Sequence, residues 1–179
     1  MSPAQVFIAF VTAKQSEFNL VLYEPVIPQN TGAIARLCAC TGAALHLIHP
    51  LGFQVDEASV RRAGLDYWTH VKVVNHQNWE AFLESESPQQ MFFFSKWGKK
   101  SFWGQAFPRP VYLVFGSETS GLPELLWNRY PESFLKIPMR TEIVRSLNLA
   151  QSAAVVLYEA LRQNQFSAGI ECGSETFPQ

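Results

Sequence analysis

Read from Asn19 onward, the chain alternates short, almost wholly apolar runs with longer stretches in which apolar residues recur every three or four positions. The runs are Asn19–Glu24 (NLVLYE), Leu45–His49 (LHLIH), Val71–Val74 (VKVV), Met91–Phe94 (MFFF), Val111–Phe115 (VYLVF) and Phe134–Ile137 (FLKI). Their shortness and their β-branched and aromatic content predict strands, and their near-continuous apolarity predicts strands covered on both faces. After Pro25 and Pro28, helical spacing places Ile34, Leu37 and Cys38 on one face of a first helix. Further helices are predicted over about 56–63, Trp79–Leu83, Leu122–Tyr130 and Asn148–Gln163. Strands alternating with helices predict an α/β fold with a parallel sheet flanked by helices. The periodic pattern covers residues 19–165, preceded by an extension, 1–18, and followed by a loose tail, 166–179. No internal repeat or low-complexity stretch interrupts it. The apolar stretch Val6–Val11 is too short to span a membrane and has no basic residue before it, so neither a membrane anchor nor a signal peptide is expected.

Composition changes this picture in three ways. With 179 residues, 47% of them hydrophobic, the chain can bury one core and is too short for two ordinary domains. Charged residues are only 16% while aromatics reach 13%, which points to further surface hidden in a homodimer. The net charge of -1 argues against nucleic-acid binding, whose usual footprint is strongly basic. Clustering offsets this: Arg61 and Arg62, then Lys96, Lys99, Lys100 and Arg109, then Arg140 and Arg145 are grouped along the chain. Cys38 and Cys40 lie two apart on a helix and so point in different directions, and Cys172 sits in the tail, which suits free thiols in a reducing cytoplasm. His46, His49, His70 and His76 show no ligand spacing, so no metal is expected.

The chemistry concentrates in the last third. Phe115-Gly116-Ser117-Glu118-Thr119-Ser120-Gly121-Leu122-Pro123, Lys136-Ile137-Pro138-Met139 and Arg145-Ser146-Leu147-Asn148-Leu149 are three irregular loops that follow apolar segments, and together they suggest a pocket for a polar, planar ligand. Gly116 would let a backbone come close to that ligand, and Gly121 permits a sharp turn before the next helix. Neither G-x-G-x-x-G nor G-x-x-x-x-G-K-[ST] occurs, so Rossmann-type and P-loop binding have no support. In Asn30-Thr31-Gly32, Asn30 or Thr31 is placed to cap the first helix, and Asn148 to cap the last. Arg36 stands on an otherwise apolar helix with no acidic residue three or four positions away.

These three loops, with Pro28-Gln29-Asn30-Thr31-Gly32-Ala33-Ile34-Ala35-Arg36-Leu37-Cys38, resemble the motifs of the SPOUT superfamily of RNA methyltransferases, most closely the small tRNA 2'-O-methyltransferases that act on the wobble nucleotide. The resemblance implies a homodimer whose C-terminal part is threaded as a deep trefoil knot, and S-adenosylmethionine as cofactor. It implies cofactor binding by Phe94, Gly116, Glu118, Gly121, Ile137, Ser146, Leu147 and Leu149, and catalytic roles for Arg36, Tyr158, Asn30 and Asn148. Arg61, Arg62, Lys96 and Arg145 would contact tRNA. The chain departs from the family at Ser95–Trp103, where Trp97 and Trp103 interleave with lysines in the manner of a stacking platform for an unpaired base. Alternative readings are a ribosomal-RNA 2'-O-methyltransferase of the same superfamily and a non-catalytic α/β protein that binds cofactor or RNA.

Overall fold

The computed structural model describes residues 16–53, 70–140 and 142–164. The helix expected over 56–63, with Arg61 and Arg62, lies outside these residues, as do most of the extension and nearly all of the tail. Seven parallel strands form one sheet: β1 (Phe18–Tyr23), β2 (Ala44–Ile48), β3 (Val73–His76), β4 (Met91–Phe94), β5 (Lys100–Ser101), β6 (Val111–Phe115) and β7 (Phe134–Lys136). Their order is β3-β2-β1-β6-β4-β7-β5. β6 is inserted between β1 and β4, and β7 between β4 and β5, so the later strands of the chain are interleaved with the earlier ones. The connecting helices are α1 (Pro28–Thr41), α2 (Trp79–Glu86), α3 (Glu124–Arg129) and α4 (Leu149–Gln163).

The continuous apolar runs are explained by the two faces of the sheet. In β1, Leu20 and Leu22 face one core and Val21 the other; in β6, Leu113 and Phe115 oppose Tyr112 and Val114; in β4, Phe92 and Phe94 oppose Phe93. The first core is closed by Ile34, Ala35 and Cys38 of α1 with Ala153, Val156, Leu157, Ala160 and Leu161 of α4. The second is closed by Trp79 and Phe82 of α2 and Leu126 of α3. Both sides of β1, β4 and β6 are therefore removed from water, which strict alternation would not have allowed. Cys38 is buried and Cys40 exposed, and burial pushes the Cys38 thiol up to about 12, so it is no nucleophile.

Several boundaries differ from expectation. β1 begins at Phe18, one residue inside the predicted extension, and Glu17 is tied to Arg109 at 2.7 Å. β3 covers Val73–His76 rather than 71–74, because its register pairs Leu45 with Val73 and Ile48 with His76. α3 is shorter than the expected 122–130: Pro123, at φ -68 and ψ 153, stays extended as its N-cap. β7 ends at Lys136, leaving Ile137 in the loop. β5 was not anticipated, being only two residues long.

The reading of the histidines also needs correction. His46 on β2 and His76 on β3 are side by side and buried, with His46 Nδ1 3.0 Å from His76 Nε2. With Glu86 they bring ligand-type atoms within 4.8 Å of one another. The ring centroids are 5.3 Å apart and the planes differ by 15°. That separation is little more than the N···N contact plus one ring radius at each end, so the rings lie in line. This is the geometry of an N–H···N bond, not of two lone pairs converging on a third atom. Asn19 fixes the proton order: its Nδ2 donates to Ser16 O and Val111 O, so its Oδ1 accepts from His46 Nε2 at 3.2 Å. His46 Nδ1 then accepts from His76 Nε2, which leaves His76 Nδ1 an acceptor toward the Ser85 hydroxyl at 3.3 Å, whose one proton is shared with the Phe82 carbonyl at the same distance.

Burial lowers both imidazole pKa values, that of His46 to about 3, with the neighbouring His76 adding to the effect. Once unfolded, His46 takes up a proton below its ordinary 6.5, whereas folded it stays neutral down to about 3. Stability should therefore fall as pH drops through that window and level off above it. At pH 5.5, ¹⁵N NMR of the folded protein should show His46 protonated on Nε2 alone. An imidazolium signature there would refute the proton order.

Candidate functional site

At the carboxyl ends of β1, β4, β6 and β7, a pocket of about 540 Å³ opens where the strand order switches direction beside β1. This is the usual place for a ligand on an open parallel sheet. All eight residues expected to hold a cofactor line it: Phe94, Gly116, Glu118, Gly121, Ile137, Ser146, Leu147 and Leu149. Asn30, Asn148 and Lys96 line it too. Ser117, Leu122 and Met139 of the predicted pocket loops line it as well, as does Trp97, which the sequence suggested only as a stacking residue; the sequence reading missed Trp127. Trp127 and Leu122 come from the second core, and only the return of β7, whose Phe134 stacks on Trp127 at 3.6 Å, fixes them there.

The loop after β6 holds its shape through its own backbone. Ser117 N–H donates to Gly121 O at 3.2 Å and Gly121 N–H to Ser117 O at 2.9 Å, closing a five-residue turn. Gly121 has φ +70. A Cβ on Gly116 would lie 2.3 Å from the carbonyl carbon of Gly121. Gly116 therefore admits the loop's own return, which corrects the expectation that its bareness serves a ligand directly.

Three segments distant in sequence are joined behind the pocket. Glu118 accepts from the Val26 N–H through Oε2 at 2.9 Å and from Asn30 Nδ2 through Oε1 at 2.8 Å. Asn30 Oδ1 accepts from Asn148 Nδ2 at 2.9 Å, and Asn148 Oδ1 accepts from the N–H groups of Ala150 and Gln151 at 2.8 and 3.3 Å. Asn148 is thus the N-cap of α4, as expected. Asn30 and Thr31 do not cap α1: the N-cap is Ile27, Pro28 opens the helix, and Asn30 sits within the first turn. The proline pre-sets the first turn, which frees the Asn30 amide for tertiary contacts. With Asn30 7% exposed, these charge-assisted and amide bonds fix the loops after β1 and β6 and the start of α4 relative to one another.

The remaining candidates lie elsewhere. Arg36 is exposed on α1, six residues beyond Asn30, and Tyr158 is 45% exposed on α4; neither lines the pocket of its own chain. Arg145 is exposed in the loop before α4 and is also outside the lining. Of the grouped cations, Lys100 pairs with Glu132 at 2.5 Å and Arg109 with Glu17.

Comparison with known proteins gives this geometry a context. A family model described as the SpoU rRNA Methylase family matches residues 17–158. The chain is 50% identical over 155 residues to a tRNA (cytidine(34)-2'-O)-methyltransferase of Burkholderia cenocepacia, covering 85% of this chain and 99% of the relative. It superposes with a TM-score of 0.76 and 46% identity on a structure solved for insight into 2-OH methylation of C/U34 on tRNA, covering 84% of this chain and 97% of that one. The SpoU methyltransferase AviRb of Streptomyces viridochromogenes, in complex with the cofactor AdoMet, is 26% identical with a TM-score of 0.69, covering 84% of this chain and 62% of that one.

Proposed function

Because the chain belongs to the SpoU rRNA methylase family, we propose that it is an S-adenosylmethionine-dependent methyltransferase that modifies the ribose 2'-OH of tRNA nucleotide 34, a cytidine or modified uridine. The observation that carries this reading is the convergence of all eight expected cofactor residues on one pocket tied to α1 through Glu118, Asn30 and Asn148. The pocket suits the cofactor: its volume is within the range that encloses a small ligand, its apolar wall of Phe94, Leu122, Ile137, Leu147 and Leu149 suits an adenine, and the 116–121 turn borders it with main-chain polar groups.

Bound there, S-adenosylmethionine would supply a methyl group already activated on a sulfonium. The protein's task is then to bring a ribose hydroxyl into line and ease the loss of its proton. Asn30 and Asn148 have amides engaged with each other and with Glu118, so we assign them the positioning of the pocket wall. A guanidinium offers donors and no acceptor, so Arg36 is not assigned as the base; its planar donors suit the hydroxyl or an adjoining phosphate. Arg36 and Tyr158 would reach a pocket from across a homodimer interface formed by α1 and α4, where Ile27, Val155 and Tyr158 are 39%, 41% and 45% exposed.

Two measurements test the proposal. Labelled methyl groups should pass from cofactor into total tRNA and not into ribosomal RNA, and a single 2'-deoxy substitution at nucleotide 34 should abolish transfer. Persistent methylation of the deoxy substrate would show that the target atom is wrong. Sedimentation at micromolar concentration should show a dimer, and a monomer there would remove any role for Tyr158 across an interface.

A further inference from the structure

Ser95-Lys96-Trp97-Gly98 and Ser101-Phe102-Trp103-Gly104 are two copies of one four-residue unit, S-x-W-G, six positions apart. The unit is too short to have registered as a repeat of the fold, yet both copies close the same serine–tryptophan hydrogen bond; beyond it they differ, Gly104 standing at φ +82 in open space and Gly98 packed on β7. The Trp97 N–H donates to Ser95 Oγ at 3.3 Å and the Trp103 N–H to Ser101 Oγ at 3.2 Å. Each serine turn is then pinned to β7: Ser95 N–H donates to Leu135 O and Phe102 N–H to Lys136 O, both at 3.0 Å. Gly98 lies so close to that strand that a Cβ would be 2.4 Å from the Leu135 carbonyl carbon. The turns are held by the sheet, not draped over it.

They nevertheless leave their indoles in water. Trp97 is 72% exposed and Trp103 60%, whereas Trp79 is 3% exposed. Lys96 Nζ lies 5.0 Å from the centre of the Trp97 ring, and Trp103 is backed by the buried ring of Phe102 at 4.2 Å. Lys99 and Lys100 stand between the two units, Lys100 paired with Glu132. Trp97 and Lys96 border the pocket, and the second unit continues from there along β5, the edge strand of the sheet. A pair of exposed aromatics interleaved with cations, running outward from the pocket assigned to the cofactor, matches what an unpaired nucleic-acid strand needs: faces for its bases and charge for its phosphates. A second copy of the same face is a poor occupant, since two-fold pairing would set one lysine-bearing patch against another of the same sign.

We propose that the tandem S-x-W-G units form a stacking platform for unpaired nucleotides of the substrate next to the methylated one, Trp97 receiving a base near the pocket and Trp103 a base further along. The proposal rests on the tRNA-methylation reading. It also accounts for how a chain of net charge -1 holds a polyanion: stacking replaces part of the electrostatic attraction, so the affinity should depend on salt less steeply than for a strongly basic binder.

The test is a cycle between protein and RNA, using the full chain, the substrate tRNA and versions of that tRNA carrying single abasic nucleotides through the anticodon loop. Trp97→Ala and Trp103→Ala should each weaken tRNA binding by about tenfold or more, the Phe variants recovering most of it. Each alanine penalty should vanish when one particular loop base is missing, at different positions for the two tryptophans. S-adenosylhomocysteine affinity should be unchanged in Trp103→Ala. Penalties that persist on every abasic tRNA, no penalty at all, or conversion of the variants to monomers would each overturn the platform. Because the cycle reads binding alone, failure of methyl transfer by the wild-type protein would sink the assigned reaction and still leave the platform to be decided.

Discussion

Arg36→Ala is expected to lose at least about a hundredfold in methyl transfer to tRNA while its affinity for S-adenosylhomocysteine stays within about twofold of wild type. The separation follows from position: Arg36 is on the exposed side of α1, two helical turns from the Asn30 that borders the pocket, and it does not line the pocket of its own chain. Removing it takes away a charged, planar pair of donors that stands outside the pocket lining. Arg36→Lys should recover little, because a compact ammonium cannot reproduce a two-donor contact to a phosphate or a hydroxyl. Calorimetry and single-turnover transfer, run on the same preparations, check the two halves. An equal loss of cofactor affinity would show that Arg36 supports the fold of α1 and not the reaction.

The contrast between what the sequence made visible and what it hid has a physical origin. The runs Leu20–Leu22, Phe92–Phe94 and Val111–Phe115 declared a sheet buried on both faces, because a strand covered on both sides has no polar side to show. The pocket loops were also legible, since each follows such a run and contains residues chosen for backbone shape. Contacts that depend on strand order were not legible. His46 and His76 are 30 residues apart and meet only because β2 and β3 pair in one register. β5, at two residues, has no periodicity to read and exists only as an extension of β7. Gly116 was recognised as necessary for the wrong reason: its missing side chain makes room for Gly121, five residues further on in the same loop. The role of Asn30 was mistaken similarly, as Pro28 shifts the helix start and turns a potential cap into the middle member of a tertiary chain from Asn148 to Glu118.

That chain is the basis of the other large effect. In Glu118→Ala the Val26 N–H and the Asn30 amide both lose their acceptor at a half-buried position, each at a cost of up to about 1–3 kcal/mol, so the loop after β6 and the start of α1 should come loose together. Cofactor affinity should fall by about tenfold or more. Glu118→Gln should lose less, because one carbonyl oxygen can still accept from Val26 or Asn30. The two deficient chains then answer a question neither can answer alone. Arg36→Ala leaves a sound pocket and Glu118→Ala a sound arginine. If Arg36 serves the pocket of the partner subunit, mixing and reassociating equal amounts of these two deficient proteins, at a cofactor concentration too low to fill the Glu118→Ala pocket, builds, in half of the dimers, one site with both parts intact, and about a quarter of wild-type activity should return. If Arg36 serves the pocket of its own chain, every site in every dimer keeps one defect. Mixtures that remain inactive although subunit exchange is demonstrated would place the arginine in cis and remove the reason for a catalytic interface between α1 and α4.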